Sequence, residues 1–386
     1  VYTGANPGRH GVFGFLGYDG YDWDVVNATD VREWTLWELL DYHGLRSVVV
    51  NGPVTHPPPE IDGAVVPGYV APEDPDCHPP GLLDEVRSAV GPYRVYGDTD
   101  HDSASPTDYR ELVEMRGRAF RYLLDEFDPH FGFVQFQQTD TVFHERPHDQ
   151  AAIREVYRAV DDEVAAIVDD YDPEVVVVAS DHGIGEYGGY EFRVNDYLRE
   201  RGYVETRAGG SGMPSWGVAG VAFQRGERDA PDGPNGPVES ALAAVSAVGV
   251  TSQRVGAVLG RLGLREFVLE RAPTTLVKAA EEGVGFHDSR AYMRSRVELG
   301  VRINLAGREP SGVVPAERYD EVREELISAL RTATTPEGEA VFSTVAPREE
   351  VFEGPYVSEA PDVVVVPNEY DHYLSAQIRD EPFVSE

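Results

Sequence analysis

The sequence predicts an α/β fold, a largely parallel sheet with helices on both faces and an inserted, mostly helical cap. Three observations lead there. Over the first two thirds of the 386 residues, short β-branched runs alternate with amphipathic helical stretches. The runs at 45–51 (LRSVVVN) and 172–180 (DPEVVVVAS) are apolar at their centres, as strands buried on both faces must be. A Gly- and Pro-rich stretch at 207–237 then leads into helical pattern whose apolar face has no place in such a sheet.

The elements follow in order. A helical pattern at 33–43 precedes the strand at 45–51, and 53–80, rich in Pro, Gly and Asp, is too long for a simple connection and reads as a lid or site-lining loop. A long helix at 107–127 leads to a strand at 131–137 (FGFVQFQ), and a helix at 153–170 leads to the strand at 172–180. Residues 207–290 form the cap, so that 1–206 and 291–386 make up the core. The sheet pattern resumes with GVRINL at 300–305, a helix at 316–332 and the strand DVVVVP at 362–367.

Composition narrows the function. Hydrophobic residues are 41% of the chain, enough for a sizeable core. The 33 basic residues, of which only Lys278 is a lysine, face 68 acidic ones, leaving a formal net charge of −35. Such a surface repels phosphate backbones and anionic lipid, which disfavours nucleic-acid or membrane-surface binding and suits a halophilic interior. A single cysteine, Cys77, forms no internal disulfide, in keeping with a reducing, cytoplasmic setting. No run of 18 apolar residues is present to span a membrane. Oligomeric state is not written in the sequence.

In open α/β sheets ligands sit beyond the carboxyl ends of the strands. The strand at 131–137 runs into QTDTVFHERP, placing Asp140 and His144 four residues apart, on the same side of a helical turn. The run at 172–180 leads into Ser180-Asp181-His182-Gly183, where Gly183 supplies the freedom for both side chains to reach one ion. Either pair alone is no more than a surface pair or a cap. Two carboxylates and two imidazoles at neighbouring strand ends point to a cation, because together they are costly unless they hold one.

With these residues in view, the chain resembles the alkaline phosphatase superfamily, in its type I phosphodiesterase and nucleotide pyrophosphatase branch. The resemblance is carried by T-G-A-N-P-G-R-H-G at 3–11, V-T-H-P-P-P-E-I-D-G at 54–63, T-D-T-V-F-H at 139–144, S-D-H-G at 180–183, F-R-V-N-D-Y-L-R-E-R-G-Y at 192–203 and I-N-L-A-G-R-E-P at 303–310. It implies an alkaline-phosphatase-like fold and a hydrolase of small phosphorylated substrates. It also implies two divalent metal ions, zinc or in some relatives manganese, and a covalent phospho-enzyme formed on a Ser or Thr. Asp140 and His144 match ligands of one metal, Asp181 and His182 ligands of the other.

The resemblance places the nucleophile and the first metal-binding Asp before Val1, and a last metal His beyond the final strand, so the chain is expected to be an internal fragment, inactive by itself. Thr3 matches a structural Thr of the family, and His372 is the one late His that could stand in. Arg9, Asn51 and His56 are candidates to touch substrate, each with the alternative of a solvated or turn residue. His10 is expected to cap a helix or line the site, and Asn195 and Arg308 to serve packing or capping. Phosphoglycerate mutase-like or sulfatase-like chemistry on the same fold, or a scaffold without chemistry, are the alternative readings.

The charge imbalance carries its own test. Screening length grows to about 30 Å at 0.01 M salt and shrinks to about 3 Å at 1 M, so mutual repulsion of the 68 carboxylates is felt at low salt and cancelled at high salt. The thermal unfolding midpoint is expected to rise as KCl is taken from 0.01 M to molar concentration. A flat or falling midpoint would refute the reading.

Overall fold

The computed structural model of the chain describes residues 2–97, 106–208, 282–379 and 381–385. One helical turn, α1 (Pro7–His10), precedes a hairpin of β1 (Leu16–Asp19) and β2 (Asp22–Val25), then α2 (Leu36–Tyr42), β3 (Ser47–Gly52) and β4 (Gly63–Pro67). Next come α3 (Leu82–Val90), α4 (Pro106–Phe127), β5 (Phe131–Val134), α5 (Gln138–Glu145) and α6 (Gln150–Tyr171). Beyond them lie β6 (Tyr190–Arg193), α7 (Val194–Glu200), β7 (Thr206–Ala208), β8 (Glu282–Val284), β9 (Ala291–Tyr292) and β10 (Gly300–Ile303). The chain ends with α8 (Tyr319–Arg331), β11 (Phe342–Pro347), β12 (Val363–Pro367), β13 (Tyr373–Ser375) and β14 (Phe383–Ser385). These elements fall into two compact units, one built mainly from 25–185 and the other from 13–24 and the residues after 186.

In the first unit β3 lies between β4 and β5, parallel to both. Alternation along the strands sorts the core into two faces. Val48, Val50, Ala64 and Val66 pack against Leu82, Leu83 and Val86 of α3 and Leu112, Met115, Ala119, Phe120 and Leu123 of α4. Val49 and Val65 turn the other way, onto Trp37 of α2, with Phe131 and Phe133 beside it. Helices on both faces of a parallel sheet are thus present, and α2 is started by a capping box in which Thr35 and Glu38 bond each other's backbone N–H.

Two expectations need correction here. The stretch 53–80 is not all loop: it contains β4, buried at every residue, whose run Ala64-Val65-Val66 is too short to stand out by period. Gly63 opens that strand with φ +130, and a Cβ there would collide with the carbonyl oxygen of Ser47 on β3, so only glycine permits the ladder to start. Conversely, 172–180 is not a strand, and Val175, Val177 and Val178 are 77–82% exposed. Four valines declare β-propensity, but a strand also needs a neighbour to share its ladder, and among the described residues none pairs with them.

The second unit is built differently from the continuing parallel sheet that the sequence suggested. Its four-stranded sheet, in the order β11-β12-β10-β9, is antiparallel throughout. Val322, Leu326, Ile327 and Leu330 of α8 join the core that this sheet forms with Phe192, Val194 and Leu198. A mixed sheet sets β6 between β13 and β14. The cap expected over 207–290 lies outside the described residues except at its ends, where β7 and β8 pair antiparallel from Thr206↔Val284 to Ala208↔Glu282.

Asp362 is the electrostatic centre of this unit. Wholly buried, it accepts 2.7 Å bonds from both Nη atoms of Arg308, 2.9 Å from Arg348, 2.7 Å from Tyr319 Oη and 2.7 Å from the Ile303 N–H. Burial alone would raise its pKa, but the Arg308 hydrogen bonds and the charges of Arg308, Arg302 and Arg348 outweigh it and hold the carboxyl down at about 2. A folded-state pKa below the unfolded value adds stability that is present above about pH 4 and is lost as pH falls toward 2. At neutral pH this contribution is about 2 kcal/mol. Asp362→Ala is expected to destabilise by about 3–5 kcal/mol at pH 7, because it leaves buried guanidinium charge without a partner, and to do less at pH 2. Urea unfolding at the two pH values checks both the size and the direction.

Candidate functional site

The first unit brings the four expected ligands together. α5 begins four residues after β5 and carries Asp140 and His144 on one side, with Asp140 Oδ1 3.4 Å from His144 Nε2. Residues 172–189, without regular structure, bring Asp181 and His182 to the same place. His182 Nε2 stands 3.9 Å from Asp140 Oδ1 and 3.8 Å from Asp181 Oδ2. The sequence paired Asp140 with His144 and Asp181 with His182; the structure adds the link between the pairs, with Asp140 reaching both imidazoles.

The orientation of His182 can be assigned. Its Nδ1 lies 2.9 Å from the carbonyl oxygen of Gly183, which can only accept, so Nδ1 carries a proton and Nε2 faces the carboxylates. The Gly183 bond, with the charges of Asp181 and Asp140, raises the His182 pKa above the ordinary histidine value against the opposing effect of burial. A bare Nε2 lone pair turned on two carboxylates is unfavourable, so this position calls for a proton or a cation. Asp181 also adds to burial in raising the pKa of Tyr2, whose ring packs at 4.9 Å on Trp37 and whose hydroxyl donates to Pro53 O at 2.6 Å.

Donor chemistry and pair spacing at this place suit a divalent ion. Two donors on one tetrahedral ion, each at about 2.1 Å, lie about 3.4 Å apart. The Asp140–His144 and Asp181–His182 separations of 3.4 and 3.8 Å are of that size. Carboxylate oxygen and imidazole nitrogen are the donors that zinc and manganese accept. Among the described residues no three of His, Cys, Asp and Glu close around one point, so donor types and pair spacings fit while a complete cage is not drawn. The four side chains are 36–70% exposed, open to a substrate from solvent.

The remaining candidates sort by their partners. Arg9 Nε pairs with Glu33 at 3.1 Å on the surface. Asn51, at φ +61 in β3, is wholly buried and its amide donates to Gln135 O at 3.0 Å, a bond that joins the ends of β3 and β5. His56 is half-buried, and its carbonyl accepts from Ala28 N at 2.9 Å. Thr3 Oγ1 accepts from Ala5 N at 3.2 Å in a local turn, and His10 Nδ1 accepts from Val12 N at 3.2 Å just past α1. In the second unit Asn195 bonds Met293 and Ala376 through its buried amide, Arg308 holds Asp362, and the buried His372 accepts from Tyr190 N at 3.1 Å.

Sequence reasoning passed over the residues beneath α5. Gln138, its first residue, is buried and accepts a hydrogen bond from Arg116, and Glu145, its last, accepts one from Tyr109. The seven-residue spacing within each pair of positions was the available signal, but it is also the ordinary repeat of two packed helices.

A family model for type I phosphodiesterase / nucleotide pyrophosphatase matches residues 1–284. No curated protein and no solved structure matches the chain. Among the described residues no helix is long and apolar enough to cross a membrane.

Proposed function

The chain belongs to the type I phosphodiesterase / nucleotide pyrophosphatase family, a family of phosphoric ester hydrolases, and we propose that it hydrolyses a small phosphorylated substrate with the help of two divalent ions, zinc or manganese. The observation that carries this reading is Asp140 Oδ1, set 3.4 Å from His144 Nε2 and 3.9 Å from His182 Nε2, with Asp181 beside the latter. Asp140 and His144 would hold one ion, Asp181 and His182 the other. Bound there, the ions would neutralise charge on the phosphoryl oxygens and make a nucleophile available at neutral pH.

The chain's own residues prepare that site. The Gly183 carbonyl holds His182 in the tautomer whose Nε2 points inward. The first turns of α5 and the bend at Asp181 set two imidazoles against two carboxylates. An anionic phosphate approaching a chain of net charge −35 needs local positive charge, and Arg146, two residues past His144, is engaged with Asp149. Divalent ions on Asp140, His144, Asp181 and His182 meet that need.

Equilibrium dialysis against Zn²⁺ or Mn²⁺ and hydrolysis of a chromogenic phosphodiester test the reading. Asp140→Asn and His182→Ala are each expected to weaken metal binding tenfold or more, since each removes a donor. Each should also lower kcat/KM on the order of a hundredfold or more, because members of one catalytic unit fail together. Unchanged kcat/KM in both variants would overturn the assignment.

A further inference from the structure

On the metal-dependent reading above, we propose that Tyr109 and Arg116 of α4 are positioning residues, a two-point clamp that turns the Asp140–His144 face of α5 toward the ions. α4 and α5 run antiparallel and are joined at both ends of α5: Arg116 Nη1 donates to Gln138 Oε1, and Tyr109 Oη donates to Glu145 Oε2. Tyr109 and Arg116 are seven residues apart, and so are Gln138 and Glu145. Seven residues are close to two turns and about 10 Å of rise, so the two helices meet in matched register at both points. Val142, fully buried on the same face of α5, shares a hydrophobic cluster with Tyr109 of α4 and with Ala152, Ile153 and Val156 of α6.

The face so fixed is the opposite of the chemical one. At about 100° per residue, positions 138, 142 and 145 fall within roughly 60° of one another, whereas Asp140 and His144 lie roughly 200° and 240° from Gln138. Rotation or sliding of α5 would break both bonds and swing the two donors away from His182. A single bond would permit such a rotation; two bonds a double turn apart do not.

The chemistry of Arg116 argues against filler. It is wholly buried, and the acceptors it reaches are uncharged, Gln138 Oε1 and Val95 O, the latter at 2.7 Å. Burying a guanidinium on neutral acceptors is costly, and an apolar side chain of similar volume fills such a space more cheaply. What the guanidinium adds is direction: two donors from one rigid plane tie the start of α5 to the strap at Val95. Burial lowers the pKa of Arg116, with neighbouring Tyr93 and the carboxylate of Glu73 opposing that shift.

The test measures Zn²⁺ affinity of the full chain by competition with a chromogenic chelator, the visible spectrum of its Co²⁺ form, and the melting temperature without metal. Parent, Asp140→Asn, Tyr109→Phe and Arg116→Met are compared. The two clamp variants are expected to bind Zn²⁺ about tenfold more weakly and to shift the Co²⁺ absorption, as loss of a group that orients a ligand does. Tyr109→Phe, which deletes one oxygen and keeps the ring, should leave the metal-free melting temperature within a few degrees, and it decides the matter if Arg116→Met fails to fold. If Asp140→Asn weakens Zn²⁺ binding while Tyr109→Phe matches the parent in affinity and spectrum, the clamp is overturned and the metal site stands. If Asp140→Asn itself binds as the parent does, the metal reading falls and the clamp with it.

Discussion

The first unit depends on the burial of one strand. Every residue of β3 is buried, and its backbone groups are engaged on both sides by the parallel ladders to β4 and β5. A backbone polar group in such a place must be paired, and from Ser47 to Val50 both ladders keep an unbroken register. Parallel pairing also puts the carboxyl ends at one edge; β4 returns to β5 through α3 and α4, whereas β3 reaches β4 through 53–62 without a helix. α5 starts just past the end of β5, so the place of Asp140 follows from the place of β3.

The core of the second unit and the candidate site treat charge in opposite ways. In the second unit acidic groups inside the fold are met by guanidinium, as when Asp362 takes both Nη atoms of Arg308 and Glu309 pairs with Arg302 at 2.8 Å. Arginine suits this use because its planar fork satisfies two acceptors and is less strongly hydrated than lysine's ammonium, in a chain whose single lysine is Lys278. At Asp140 and Asp181 imidazoles are the partners instead. An imidazole can give up its proton near neutrality and offer a lone pair, which a guanidinium cannot do. A carboxylate held by arginine is finished structurally, whereas one set beside histidine remains available to a cation.

Fixing a loop-borne pair against a helix-borne pair requires that at least one of them be rigid. Asp181 and His182 lie in an exposed segment without regular structure, held locally by the bond from His182 Nδ1 to Gly183. α5 is the rigid partner, with Val142 buried and both of its ends bonded to α4. This division of labour matches the general use of loops for chemistry and packed elements for placement.

Much of this was legible in the chain alone, because period and spacing are local properties. Apolar centres at 45–51 and 131–137 mark β3 and β5, amphipathic stretches mark α2, α4 and α6, and the four-residue interval makes Asp140 and His144 neighbours on one helical face. What the tertiary structure decided are the relations between distant segments. A short buried run inside a Pro-rich stretch became β4 because Gly63 admits it beside Ser47, while a longer valine run at 175–178 stayed outside the described sheet for want of a partner. The sheet of β9 to β12 became antiparallel, since an apolar run carries no sign of its direction. Asp140 became the common neighbour of two histidines, one four residues away and one forty-two, and only folding can set the second distance.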